Sequence, residues 1–163
     1  MCDTTFYFLV HEALSRECKR LCDFTDNLDK NQAEKKQQIA EYKCAKYRYA
    51  SVSLIDSTVY NINRCRKTHN LKEFHYLLLP FDEIFKKHDD YLSIYDSAPD
   101  AEKPDIGLYY AMIALADVEI VKLEEKISVA NDWEKIELEE RIGGLKFAKI
   151  CLDEAWQKRK DVL

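Results

Sequence analysis

The chain has little glycine and proline, with three of each in 163 residues. Both residues interrupt regular backbone structure, and their scarcity favours long uninterrupted helices. Apolar side chains also recur every three to four residues along most of the chain, which is the spacing of one helix face. The sequence therefore predicts an all-α fold, an antiparallel bundle of four to five helices with one of them unusually long.

Long apolar runs and catalytic signatures are also missing. No stretch approaches the roughly 20 apolar residues that a membrane-spanning helix needs. The apolar residues 4–10 lack a preceding basic region and are followed by His11 and Glu12, so we expect no cleaved signal peptide. No nucleophile elbow, phosphate loop or complete metal-ligand set is present. We expect one cytoplasmic domain over residues 1–163, with no enzymatic activity, no cofactor and no membrane partner.

Turn residues and apolar spacing divide the chain into elements. Asp26 to Asp29 offer turn and capping chemistry, and Asn131 with Asp132 is expected to end one helix and cap the next. The predicted elements, in chain order, are helices over residues 5–26 and 29–67, a helical segment over 71–96, a loop over 97–104, and helices over 106–127 and 133–160.

In two of these elements a helix-breaking residue lies far from either end. Pro80 lies in the third segment, where we expect a kink rather than a break, because the apolar stripe continues on both sides of it. Gly143 and Gly144 lie inside the last helix. They either break that helix or allow a neighbouring helix to approach closely, and the sequence leaves both alternatives open.

Charge is distributed unevenly along the chain. Residues 16–87 contain 15 basic and 10 acidic side chains, whereas residues 96–140 contain 13 acidic and 4 basic ones. The two sets could attract each other inside the bundle, or the acidic set could form a docking face for a basic protein. Four carboxylates that cluster within two helical turns are the predicted partner-binding residues: Glu134, Glu137, Glu139 and Glu140.

Aromatic and basic residues alternate over residues 42–49, a pattern that can bind nucleic acid. Tyrosines at helical spacing are more often part of a core or its rim, however, and the chain as a whole carries a net charge of −5, which repels nucleic acid. We therefore predict a protein partner rather than a nucleic acid. The sequence leaves the oligomeric state open.

Histidine and cysteine supply the main alternative, a metal site. His11, Cys18 and Cys22 form one narrow stripe on the first helix, and imidazole and thiolate are ligands for zinc or copper. The spacing is not that of a compact zinc motif, and a fourth ligand would have to come from another helix. We therefore expect the six cysteines to be reduced thiols that pack as small apolar residues.

Polar residues within apolar stripes mark a second candidate site. His88 interrupts the stripe of the third segment, and Asp117 lies between Ile113 and Ile120. A buried carboxylate needs a partner, and we expect His88, a tyrosine or a lysine to provide it. If His88 and Asp117 pair, we expect either a structural polar contact or an acid/base pair in a pocket between helices.

The function predicted from these observations is a non-enzymatic helical protein-binding module, such as an inhibitor, an immunity-type protein or an adaptor. It would dock its partner through a charged helical face. The alternative is a bundle that binds a metal or a small molecule, either at the Cys/His stripe or at the His88 and Asp117 pocket.

Overall fold

The computed structural model describes residues 5–30, 35–68, 93–94, 96–100 and 102–162 of the chain. Of these residues 93% are helical and none is in a strand, which confirms the all-α prediction. The predicted segment over 71–96 with its kink at Pro80 lies, apart from a few residues after position 92, outside the described part. The long helices of the described residues are α1 (Thr5–Lys30), α2 (Lys35–Thr68), α3 (Lys103–Ile127) and α4 (Asp132–Val162).

The first helix boundary differs from the predicted one. The helix α1 continues through the predicted turn as far as Lys30, because Asp and Asn are only moderately poor helix formers and half-buried Leu28 continues the apolar face. The boundaries of α3 and α4 lie within three residues of the predicted ones. The helix α2 contains 34 residues and α4 contains 31, so the bundle has two long helices of similar length.

The helices alternate in direction along the chain. Helices α1 and α3 run one way, whereas α2 and α4 run the other way. As a result α2 and α4, which pack on one another, are parallel neighbours. Three contacts, each between a residue in the first half of one helix and a residue in the second half of its neighbour, indicate these directions: His11 with Asp56, Phe6 with Trp156, and Asp105 with Arg159.

One apolar core joins all four helices, and α4 contacts each of the other three. Its fully buried side chains recur at three- and four-residue intervals, so each helix contributes one face. The largest of them are Phe6, Val10 and Leu14 of α1; Val52, Ile55, Val59 and Ile62 of α2; Leu108 and Met112 of α3; and Leu145 and Leu152 of α4.

The two adjacent glycines of α4 do not break the helix, because it is continuous through them. A Cβ atom at position 144 would lie 2.7 Å from the carbonyl oxygen of Arg48 and 2.9 Å from Cβ of Ser51. Both of those residues belong to α2, and Ser51 is buried. The structure therefore shows the second alternative: α2 approaches α4 closely at Gly144, and the helix α4 is not broken.

We expect Gly144→Ala to destabilise the protein by about 1–3 kcal/mol, because the added methyl group meets backbone that cannot move freely. Gly143→Ala is the matched control, since its Cβ would meet only the flexible end of the Arg48 side chain. That control gains helix propensity and should be neutral, or stabilising by up to about 1 kcal/mol. Urea unfolding measures both, and equal stabilities for the two variants would contradict the close contact.

A buried ion pair links the start of α3 to the end of α4. The side chains of Asp105 and Arg159 are only 2% and 4% exposed, and Arg159 Nε donates to Asp105 Oδ2 at 3.2 Å. The Arg159 guanidinium also lies over the ring of Trp156, 4.9 Å from its centroid. Trp156 in turn stacks on Tyr109 and meets Phe6 edge to face. At this end of the bundle, aromatic rings therefore pack beside the ion pair of Asp105 and Arg159.

We expect Arg159→Met to destabilise the protein by about 3–5 kcal/mol, because it leaves the Asp105 carboxylate buried without its guanidinium. The double variant Asp105→Leu, Arg159→Met removes both charges and should recover part of that loss. Thermal and urea unfolding of the single and double variants provide the test. An Arg159→Met effect below about 0.5 kcal/mol, as for a surface substitution, would be inconsistent with a buried pair.

Candidate functional site

The turn between α3 and α4 is built by short local hydrogen bonds. The Ser128 hydroxyl donates to the carbonyl oxygen of Glu125 at 2.8 Å, and the Val129 amide donates to the carbonyl oxygen of Lys126 at 3.3 Å. These bonds satisfy carbonyl groups that the end of a helix leaves unpaired. They also hold the chain in a tight connection that projects Val129 into solvent.

The start of α4 carries a capping box. The amide of Glu134 donates to Oδ1 of Asn131 at 2.9 Å, and the amide of Asn131 donates to Oε2 of Glu134 at 3.1 Å. This reciprocal pair satisfies two backbone donors and fixes the angle at which the chain enters α4. Glu134, predicted as a partner-binding residue, therefore has a structural task in the free protein.

Large apolar side chains are exposed around this turn. Val129 is 87% and Trp133 is 74% exposed, and Ile136 lies exposed one turn further along α4. We call these three residues the turn surface. Exposed aromatic and aliphatic groups that lie close together mark interaction sites, and tryptophan is the residue most often found as an interface anchor. Exposed carboxylates at this end of the α3–α4 hairpin are Glu124, Glu125, Asp132, Glu134 and Glu139.

The predicted cluster of glutamates is divided among different tasks. Glu137 accepts from Nη2 of Arg141 at 3.1 Å, and Glu140 accepts from Nε of Arg48 on α2 at 3.3 Å. Glu139 is exposed and forms no ion pair with any residue that the structure describes. Of the four predicted residues, Glu139 is thus the one whose charge faces solvent without a visible structural task.

The basic and aromatic residues of α2 are also partly engaged within the protein. Arg48 pairs with Glu140, the Arg141 guanidinium lies 5.2 Å from the centroid of the Tyr47 ring, and the Lys46 ammonium lies 4.6 Å from that of Tyr42. The first of these contacts joins the basic stretch of the chain to its acidic stretch. The acidic residues nearer the α3–α4 turn take no part in these contacts.

Among the described residues, the predicted metal stripe is not completed to a ligand set. His11 Nδ1 lies 2.8 Å from Oδ1 of Asp56, Cys18 is half-buried and Cys22 is exposed. Within the described residues, no group of three or more His, Cys, Asp or Glu side chains is arranged to hold a metal ion. Burial, with a smaller contribution from Asp56, raises the pKa of Cys18 to about 11. A protonated thiol is a poor metal ligand and a poor nucleophile.

The cysteines should differ in reactivity. Burial also raises the pKa of Cys151 to about 11, so about one molecule in a thousand carries a thiolate there at pH 8. With iodoacetamide at that pH, Cys22, which is exposed, should react before Cys18 and Cys151. Reactivity of the two slow thiols should rise with pH up to about 11, because the thiolate is the reacting form.

Mass spectrometry of the alkylated peptides measures each cysteine separately, and the same reaction in guanidinium chloride is the control for intrinsic reactivity. Native Cys151 that reacts as fast as Cys22 would contradict its burial in the core.

Asp117 is paired but not buried. Its side chain is 40% exposed, and its Oδ1 accepts from Nζ of Lys149 on α4 at 2.5 Å. The expectation of burial was wrong because the inward face of α3 is centred on Leu108 and Met112, which leaves Asp117 on its flank. His88, its predicted partner, lies outside the described residues, so the proposed pocket between them is not described.

Two arrangements were not anticipated from the sequence. Val129 and Trp133 flank the predicted Asn131 turn and lie at a helix end, where spacing does not distinguish a buried side chain from an exposed one. The contact between His11 and Asp56 joins residues 45 positions apart. The sequence does indicate that each of the two residues lies next to the core stripe of its own helix, and this could have suggested that they meet.

No protein-family model matches this chain, and comparison with curated proteins and with solved structures finds no similar protein. In the described ranges, none of the helices combines the length and the apolar character that crossing a bilayer requires.

Proposed function

We propose that this protein is a helical binding module that docks a basic protein partner through the turn surface of Val129, Trp133 and Ile136. The observation that supports this proposal is the high exposure of both Trp133 and Val129, which are four residues apart at the end of the α3–α4 hairpin. When a partner covers an exposed apolar side chain, removing that surface from water lowers the free energy of the complex. A tryptophan in particular can contribute a large share of the affinity of an interface.

Charge around the turn surface defines the chemistry of the partner. The exposed carboxylates Glu124 and Glu125 on α3 and Glu139 on α4 lie on the two helices that lead into and out of the turn. The exposed carboxylates at this end of the hairpin outnumber the exposed lysines Lys126 and Lys135. An excess of negative charge near apolar side chains favours a partner with an apolar pocket or helix face bordered by lysine and arginine. These rim charges act mainly on the association rate, and screening by salt weakens their effect.

The experiment uses two synthetic amphipathic peptides with the same apolar pattern, one with lysine and one with glutamate at the polar positions. The lysine peptide should bind and shift Trp133 emission to shorter wavelength as the indole leaves water. Trp133→Ala should weaken binding by about 2 kcal/mol or more, as for a central anchor. Glu139→Lys should slow association and flatten its dependence on salt while leaving unfolding unchanged.

Ile150→Ala is the matched control, because Ile150 is another exposed apolar residue of α4, about four turns from the turn surface. It should bind the lysine peptide as the wild type does. Glu134→Lys is avoided, since it would break the capping box. Equal binding of both peptides, no binding of the lysine peptide, or an unaffected Trp133→Ala variant would refute the proposal.

A further inference from the structure

The imidazole of His11 is held in one orientation by residues of α1 and α2. Its Nδ1 lies 2.8 Å from Oδ1 of Asp56, and the Tyr7 ring stacks on it with planes 4° apart and centroids 5.6 Å apart. An ionised carboxylate only accepts hydrogen bonds, so the proton in this contact belongs to Nδ1. The lone pair of the neutral ring is then on Nε2, which bonds to none of the residues that the structure describes.

An open groove of about 510 Å³ lies beside this ring. The His11 side chain is 39% exposed, so a small reactant can reach it from solvent. Of the charged residues on the groove wall, Arg16 is paired with Glu12 at 2.8 Å, and Lys19 is an exposed cation. The described residues that line the groove are Phe8, His11, Glu12, Ser15, Arg16 and Lys19.

We propose that Nε2 of His11 is a phosphoryl acceptor. A nucleophilic nitrogen needs a lone pair, access and a means of carrying the positive charge that develops when it attacks. The Nδ1 hydrogen bond places the lone pair, the groove provides access, and the Asp56 carboxylate stabilises the imidazolium. With Arg16 paired to Glu12, the ammonium of Lys19 is the cation on the groove wall that favours a reactant carrying phosphate charge. This site lies on α1 and α2 and does not depend on the turn surface.

The reaction takes a phosphoryl group from an activated donor, which is an acyl phosphate or a phosphoramidate. The Nε2 lone pair forms a bond to phosphorus while the bond from phosphorus to the leaving group breaks. The leaving group departs with that electron pair, as a carboxylate from an acyl phosphate or, after protonation by water, as ammonia from a phosphoramidate. The Nδ1 proton stays in place between the ring and Asp56, so the protein itself moves no proton.

The test treats the full chain with potassium phosphoramidate and locates the product by mass spectrometry of peptides. The mass of one phosphoryl group should be found on His11 before it is found on any of the other three histidines. The label should be lost in mild acid and retained in base, as for a nitrogen–phosphorus bond. Unfolding the chain in urea should remove the preference for His11, because it separates His11 from Asp56.

Two variants separate positioning from folding. Asp56→Asn should slow labelling of His11 by about tenfold or more, the lower end of the effect of removing the carboxylate behind a reactive histidine. Imidazole nitrogen NMR should show that the proton is no longer confined to Nδ1, which a loss of packing alone would not cause. Ser57→Ala is the matched control, since Ser57 follows Asp56 on α2 but is exposed and donates to the carbonyl oxygen of Ser53 at 2.7 Å, and it should be labelled at the wild-type rate.

Three results would overturn the proposal. They are labelling of His11 no faster than of the other histidines, equal rates in native and urea-unfolded protein, and an Asp56→Asn variant that reacts as the wild type does. The comparison of native with unfolded wild-type protein remains decisive even if Asp56→Asn does not fold. In each case the contact between His11 and Asp56 would serve only to join α1 to α2.

Discussion

The close contact between α2 and α4 at Gly144 is the constraint on which the other features depend. It brings two helix backbones so near that no side chain larger than hydrogen fits at position 144. Because the helices touch there, Arg48 can reach Glu140 and Arg141 can cover Tyr47. The helix α4 is thereby placed where it contacts each of the other three, and the core forms around it.

The charge asymmetry of the sequence divides into an internal part and an external part. At the contact between α2 and α4, Arg48 of the basic stretch pairs with Glu140 of the acidic stretch. Nearer the α3–α4 turn, the carboxylates Glu124, Glu125 and Asp132 are exposed. Internal pairing accounts for Arg48 and Glu140, whereas the proposed docking would use the exposed carboxylates.

The helices could be predicted because their cause is local. Apolar spacing and the scarcity of breakers specify them, and the capping chemistry of Asn131 locates the start of α4. The rotation of a helix about its own axis depends on its neighbours, which is why Asp117 was expected in the core but lies on the flank. Pairs such as Asp105 with Arg159 depend on contacts between distant segments, and no local pattern encodes these.

The candidate sites also combine features that the sequence shows with features that only the fold determines. A cluster of glutamates is visible in the sequence, but whether a carboxylate caps a helix, pairs with an arginine or faces solvent depends on the fold. The metal stripe of His11, Cys18 and Cys22 looked coherent on one helix. Its histidine instead faces a carboxylate from α2, because a side chain at a helix interface interacts with whichever helix packs there.

Polar contacts along the α3–α4 hairpin also fix the axial register of the two helices. A core of aliphatic side chains would tolerate a slide of one heptad, because apolar surfaces of similar size are interchangeable. Such a slide would separate every polar contact at once and leave the carboxylate of Asp105 buried without its guanidinium, so one alignment is much lower in free energy than its neighbours. The three contacts, which succeed one another along the hairpin, are Asp105 with Arg159, Tyr109 with Asp153, and Asp117 with Lys149.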